Sequence, residues 1–301
     1  MKAKSTQQGK PMNSRTSKDE IRSTSHRRSE PANIQPPSLT ASQLKASGFE
    51  LPNFPTSQLQ AERRPKATFF ILGWLAERIP NLVREIQDRG HEVASHGCNH
   101  QLPDKLSADE FKQDLTDSKK LLEDITGTEV VGYRAPSFSI NDDILKTLQD
   151  CGYRYDSSYN SFSLHGRYGK ISLNGTSKKG IAHKLSDNFY ELPISNFRFG
   201  GLTFPLGGGG YFRLLPFSVF NWGIKAIIKR QNTYIFYCHP WEFDPDQPRV
   251  KSASFNYKFR HYTNLNKTKT KLKRLIENFR QRSFVTCSEY LNTAPCFGMH
   301  K

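Results

Sequence analysis

ATFFILGWLAERIPNLVREIQDRGHEVASH, Ala67 to His96, is the stretch that decides the fold. Its first part, Ala67 to Trp74, is an apolar run of β-type character and predicts a strand. Leu82, Val83 and Ile86 then follow a helical period, Gly90 stops the helix, and a short second strand is expected around His91 to Ala94. Strand, helix and strand in that order is the unit from which parallel sheets are built.

The alternation continues downstream. Ser107 to Thr126 carries Phe111, Leu115, Leu121, Leu122 and Ile125 at helical spacing, and Ser107 with Glu110 makes a capping-box start. A short strand at Glu129 to Tyr133, the loop RAPSFS, a helix from Asp142 to Cys151 and a strand near Tyr153 to Tyr155 follow, which predicts a parallel sheet or barrel. The second half is less regular. It offers a glycine-rich run, Gly207 to Arg213, a helix from Pro216 to Arg230, a strand from Tyr234 to His239, a helix from Thr268 to Gln281, and a last strand and turn over Ser283 to Leu291.

Residues 1–65 are rich in Ser, Gln, Lys, Arg and Pro without periodicity, and are expected to form a disordered basic segment. The folded domain is expected over 66–292, with a tail at 293–301. A chain of 301 residues suffices for one large domain. The net charge of +16 favours acidic polymers, anionic membrane surfaces or nucleic acid as partners. No RNA- or DNA-binding motif accompanies the basic residues, so nucleic acid is not expected. Five cysteines at wide spacings, without a CxxC pair, read as reduced thiols. No stretch approaches the ~18 consecutive apolar residues of a membrane span. The basic N-terminus lacks the apolar core of a secretory signal, so a cytoplasmic or peripherally membrane-associated protein is expected.

The chemistry concentrates in three places. SHGCNH, Ser95 to His100, sets His96 and His100 at i and i+4, a spacing that on a helical turn puts both imidazoles on one face, able to share a metal ion. Two plain surface or core histidines are the alternative. The zinc protease motif HExxH is excluded, because Gly97 stands where Glu is needed. Cys98 would point away from that face. GYRAPSFS, Gly132 to Ser139, supplies Arg134 beside a proline, and FYCHPWEFD, Phe236 to Asp244, supplies His239 directly after a β-type run. The glycine-rich run is followed by no GK[ST] and fits no GxGxxG pattern, so it implies no nucleotide cofactor; it is expected to let the backbone pass close to a groove.

The ordered set ATFFILGW, GHEVASHGCNH, GYRAPSFS, GYRYDSS, GGGGYFRLLP and FYCHPWEFDPDQPR resembles the polysaccharide deacetylase family, the NodB-homology carbohydrate esterases, over about Lys66 to Leu291. It is closest to the branch encoded with bacterial exopolysaccharide and exosortase loci. The resemblance implies an α/β fold, a NodB-type (β/α) barrel, and removal of N-acetyl groups from a polysaccharide at a divalent metal, zinc first. His96 and His100 match the two metal-ligating histidines. Arg134 matches the arginine that orients the catalytic base, and His239 the general acid that protonates the leaving amine. Tyr155, Asp156 and Trp241 match positions that line the substrate groove or support the acid, with core packing as the plain alternative for Trp241.

The family's first motif, a strand ending in aspartates that serve as general base and third metal ligand, has no counterpart before Lys66. The acidic residues there are Asp19, Glu20, Glu30, Glu50 and Glu62, and none follows an apolar β-type run. The expectation is therefore an incomplete barrel lacking its first strand and helix. A shifted coding frame before residue 66, a decaying gene, or a non-catalytic relative that binds glycan would each account for it. A basic adaptor for anionic polymers is a further class, resting on charge alone.

Overall fold

The structure is a computed structural model and describes residues 64–162 and 168–297. Asp19, Glu20 and the expected disordered segment up to residue 63 lie outside the described residues. The apolar run forms strand β1 (Thr68–Ile71), paired in parallel with β2 (Glu92–Ser95) in a register that sets Phe69 against Val93. Two helices occupy the crossover where one was expected, α1 (Gly73–Arg78) and α2 (Pro80–Asp88), because Pro80 serves as a first-turn residue and restarts the helix after Ile79. Helix α3 (Ala108–Thr126) opens on the expected Ser107/Glu110 capping box and ends at Gly127, whose φ of 67° suits glycine. Strand β3 (Gly132–Tyr133), helix α4 (Asp142–Asp150) and strand β4 (Tyr155–Asp156) complete the alternation.

Beyond β4 the chain adds β5 (Ser177–Lys179), β6 (Ala182–Ser186) and β7 (Phe189–Glu191). A separate two-stranded hairpin follows, β8 (Phe197–Phe199) and β9 (Leu202–Phe204). Then come α5 (Gly209–Leu214), α6 (Phe217–Gln231), α7 (Phe255–Tyr262), α8 (Leu265–Asn278), α9 (Cys287–Thr293) and β10 (Cys296–Phe297). Among the described residues the main sheet has eight strands in the order β1-β2-β3-β4-β7-β6-β5-β10. Pairing is parallel from β1 through β7 and antiparallel from β7 to β10.

Two expected strands are corrected. Tyr234 to His239 forms a single parallel bridge, Tyr237 with Gly208, instead of a strand, because its neighbour is the glycine-rich turn and not an extended partner. Ser283 to Leu291 is not a strand either. Thr286 accepts from the Glu289 backbone and Glu289 reaches back to Thr286, a second capping box that starts α9.

Val83, Ile86, Val93, Leu115, Leu122 and Leu148 form the main core between the helices and the parallel strands. Each such side chain contributes about 1.5–3 kcal/mol when fully buried. Phe212, Phe220, Ile224, Ile227 and Leu275 make a second core that joins α5, α6 and α8.

Candidate functional site

The carboxyl ends of the parallel strands build the site, as is usual for such sheets. The ladder runs one residue past each strand: His96 N–H donates to Ile71 O at 2.9 Å, Arg134 N–H to Ser95 O at 3.0 Å, and Ser157 N–H to Tyr133 O at 3.0 Å. His96, Arg134 and Ser157 therefore emerge side by side along one rim.

His96 and His100 do come together, with ring centres 5.2 Å apart and planes at 74°. The geometry is not the expected helical turn. Gly97 has φ 76° and His100 φ 56°, so the segment is a loop that folds one ring back toward the other. His100 holds a conformation that non-glycine residues adopt uncommonly, a feature met at functional sites. Gly97 is needed for space as well, since a Cβ there would lie 2.6 Å from Asp114 Oδ2. Asp114 in turn accepts the Cys98 N–H at 3.0 Å. The Cys98 thiol turns to α3 and donates to Asp114 O at 3.4 Å, away from the histidines. Burial and the Asp114 charge push that thiol up to about 12, so it stays protonated.

His96 Nδ1 sits 2.5 Å from the Arg134 carbonyl and reads as the donor, which leaves Nε2 with a free lone pair. Burial pushes its pKa down to about 3, against the pull of that hydrogen bond. Burial lowers His100 too, aided by the charge of His239. A neutral imidazole with its second nitrogen fixed by a carbonyl is the form that ligates metals. The pair thus fits two positions of a divalent cation's shell. Among the described residues no third histidine, cysteine, aspartate or glutamate joins them.

Arg134 lies in a box of rings, its guanidinium carbon 4.1 Å from the Phe70 ring centre and 5.8 Å from those of Phe138 and Tyr237. Its Nε donates to Ser157 O at 2.8 Å and Nη2 to Ser157 Oγ at 2.7 Å. Burial lowers its pKa from the usual arginine value. Among the described residues no carboxylate forms an ion pair with it.

His239 precedes a single 3-10 turn, Pro240–Phe243, and its side chain is half exposed. Its N–H donates to Glu242 Oε1 at 3.0 Å and its Nδ1 lies 3.2 Å from the same oxygen. Glu242 is buried and paired with equally buried Arg213, Nε to Oε2 at 2.8 Å. Burial pushes the Glu242 carboxyl up, but His239 and Arg213 outweigh it and hold the pKa below the usual range. Arg213 also donates to the carbonyls of Arg260, His261 and Thr263. The glycine-rich run passes close, as expected, though to this carboxylate rather than to an open groove: a Cβ at Gly209 would lie 2.3 Å from Glu242 Oε1.

The expected groove residues are placed differently. Tyr155 is fully buried, with its hydroxyl donating to Glu92 Oε1 at 2.9 Å, so it lines no groove. Small Gly132 on the next strand gives its ring room, since a Cβ there would come within 2.1 Å of it. Asp156 is also fully buried; it accepts from Ser158 Oγ at 2.7 Å and Ser158 N at 3.0 Å, which braces the chain behind Arg134. Opposite it stands buried Glu191, its Oε1 accepting the Tyr159 N–H at 2.8 Å. Burial raises the pKa of both, and the Asp156 charge drives Glu191 up further. Trp241 stacks on His261 at 4.0 Å and 13°, and on His239 at 5.7 Å and 19°, so its ring is engaged by other rings. A cavity of about 300 Å³ is lined by Tyr159 to Phe162 and Tyr168 to Ile171, and the Tyr168 ring packs 5.4 Å from Phe138.

Sequence reasoning missed Glu242, Arg213 and Glu191. Glu242 had a signal, its position three residues after His239 at a turn start; the other two had none.

Parallel strands that bring two neutral imidazoles, an arginine and a second histidine segment toward one rim define a class, an α/β domain with a histidine-rich site at its strand ends. Residues 57–155 match the polysaccharide deacetylase family and residues 157–292 match a domain of unknown function, DUF3473. Over that first stretch the chain is similar to polysaccharide deacetylases. It is 33% identical over 96 residues to a peptidoglycan-N-acetylglucosamine deacetylase of Bacillus cereus, covering 32% of this chain and 45% of that protein. It is 38% identical over 96 residues to a chitooligosaccharide deacetylase of Sinorhizobium fredii, covering 31% and 43%. The chain thus spans less than half the length of these relatives. A Mycobacterium smegmatis crystal structure assigned to the polysaccharide deacetylases shares the fold, with TM-score 0.51 at 20% identity over 81% of this chain and 78% of that one.

Proposed function

We propose that this chain is a hydrolase that removes N-acetyl groups from a polysaccharide or oligosaccharide at the rim formed by His96, His100, Arg134 and His239. The convergence of the His96/His100 pair, neutral and with a free Nε2, beside Arg134 carries the reading. The named deacetylases among its relatives support it.

His96 and His100 would hold a divalent cation, zinc first, which would polarise the acetyl carbonyl. A carboxylate as third ligand and a second carboxylate as general base would still be needed, and among the described residues neither joins the pair. Arg134 is prepared for the second carboxylate: two of its nitrogens are fixed on Ser157, and the guanidinium plane is held among rings. His239, its Nδ1 facing Glu242, presents Nε2 to protonate the leaving amine. The aromatic-lined cavity beside Phe138 suits the apolar faces of sugar rings.

A second reading, a silent glycan-binding member of the same fold, is favoured by the absence of a carboxylate at Arg134 among the described residues. One experiment separates the two: metal content and acetate release from N-acetylated chitooligosaccharide, measured on the chain and on its His96→Ala, His100→Ala variant. Stoichiometric metal and acetate release, both lost in the variant, support the hydrolase. Oligosaccharide binding without acetate release, unchanged in the variant, supports the second reading. Acetate release that survives the variant overturns the proposed site.

A further inference from the structure

The β8–β9 hairpin carries its apolar face past the edge of the core. Phe197, at its base, is buried and packs 5.3 Å from the Trp222 ring on α6. Phe199 lies on the same face of β8 as Phe197, and Leu202 is its cross-strand partner at the tip. Phe199 is 67% exposed, Leu202 64% and Trp222 60%. The tip between them is Gly200-Gly201, with φ 55° and 78°, a tight turn that adds no polar side chain. Folded proteins seldom leave such large apolar groups together in water without an interaction to serve.

The segment that carries this patch is basic. From Leu192 to Trp241 the sequence holds no Asp or Glu, while Arg198, Lys225, Lys229 and Arg230 are exposed there. None of the four forms an ion pair with a carboxylate among the described residues. Arg230 donates to the Arg198 carbonyl at 2.8 Å and lies 5.5 Å from the Phe197 ring centre, which holds its charge beside the apolar patch. On α6 Trp222 stands among Lys225 and Lys229, three and seven residues on, and so on one side of the helix.

We propose that this face docks the protein on an anionic lipid surface, with Phe199, Leu202 and Trp222 entering the headgroup boundary and the four cations meeting lipid phosphates. Exposed rings beside a cationic rim match the chemistry of that boundary, where aromatic side chains settle and Lys and Arg are drawn to negative headgroups. The other occupants fit less well. In a twofold dimer through this patch each cationic rim would face its own copy. A neutral glycan would gain nothing from the four charges.

The test is sedimentation of the full chain with vesicles of phosphatidylcholine alone and of equal parts phosphatidylcholine and phosphatidylglycerol. Partition into the anionic vesicles is expected, with a blue shift of tryptophan emission. Phe199→Ser with Leu202→Ser should weaken partition by about tenfold or more, from the apolar area withdrawn, while the thermal midpoint stays unchanged. Trp222→Phe should retain binding and lose most of the blue shift. No partition, or partition indifferent to the Phe199/Leu202 variant, overturns the proposal. A dimer in vesicle-free solution that the variant dissolves overturns it in favour of a second copy, and oligosaccharide binding that the variant abolishes overturns it in favour of a glycan.

Discussion

His239 and Glu242 hold each other twice: one carboxylate oxygen, Oε1, receives the His239 backbone N–H at 3.0 Å and stands 3.2 Å from its Nδ1. The second oxygen of Glu242 is committed to Arg213 at 2.8 Å, in a site with almost no solvent. Glu242→Gln should leave the guanidinium buried without its countercharge, at a cost of about 3–5 kcal/mol. The urea midpoint should fall accordingly, and adding Arg213→Met should restore part of the loss. A midpoint unchanged by Glu242→Gln would show that the pair adds nothing.

Gly209→Ala should disturb the same contact from the other side. Its Cβ would meet both carboxylate oxygens of Glu242, at 2.3 and 2.4 Å, with no room to turn. A cost of about 1–3 kcal/mol is expected from overpacking. Gly210→Ala is the control, since nothing lies within 4 Å of a Cβ there. Urea unfolding of the two variants side by side checks the difference.

His96 should make the fold acid-sensitive. Its pKa is about 3 in the folded protein against 6.5 for an ordinary histidine. Between those values the unfolded chain binds a proton that the folded chain does not, so stability falls as the pH drops from about 6.5 toward 3. Above that window the contribution is fully present. His96→Gln removes the titrating group, and its unfolding midpoint, followed across the window, should decline less steeply than that of the parent.

Arg134→Lys should behave as a loss rather than a conservative change. An ammonium cannot reproduce the paired Nε and Nη2 contacts to Ser157 or the guanidinium's approach to the Phe70 ring. A loss of about 1.5–3 kcal/mol is expected from the charge-assisted bonds, together with loss of acetate release. Calorimetric melting and the acetate assay check the two effects separately.

The parallel half was legible because its signals are local. Apolar β-type runs, the Gly90 stop and the Ser107/Glu110 box each act within a few residues of the structure they set. At His96 to His100 the i and i+4 spacing is shared by helices and by turns, and Gly97 with its positive φ decides between them. Strands β5 to β7 went unread because they are only three to five residues long, and they are held by neighbours that sequence spacing does not reveal. The Thr286/Glu289 box was visible in the sequence and outweighed by the β-type residues before it. At the site, His96, Arg134 and His239 stood out by residue type, whereas Arg213 and Glu191 acquire meaning only through partners more than twenty-five residues away.

Helix α7 buries none of its side chains. It is fastened by ring stacking of His261 on Trp241 and by the carbonyls of Arg260, His261 and Thr263 on Arg213. The guanidinium that braces Glu242 beneath His239 is thus also the clasp of a surface helix. A substitution at Arg213 would alter two traits at once, the set of the histidine and the anchorage of the helix. Selection acting on either would drag the other with it.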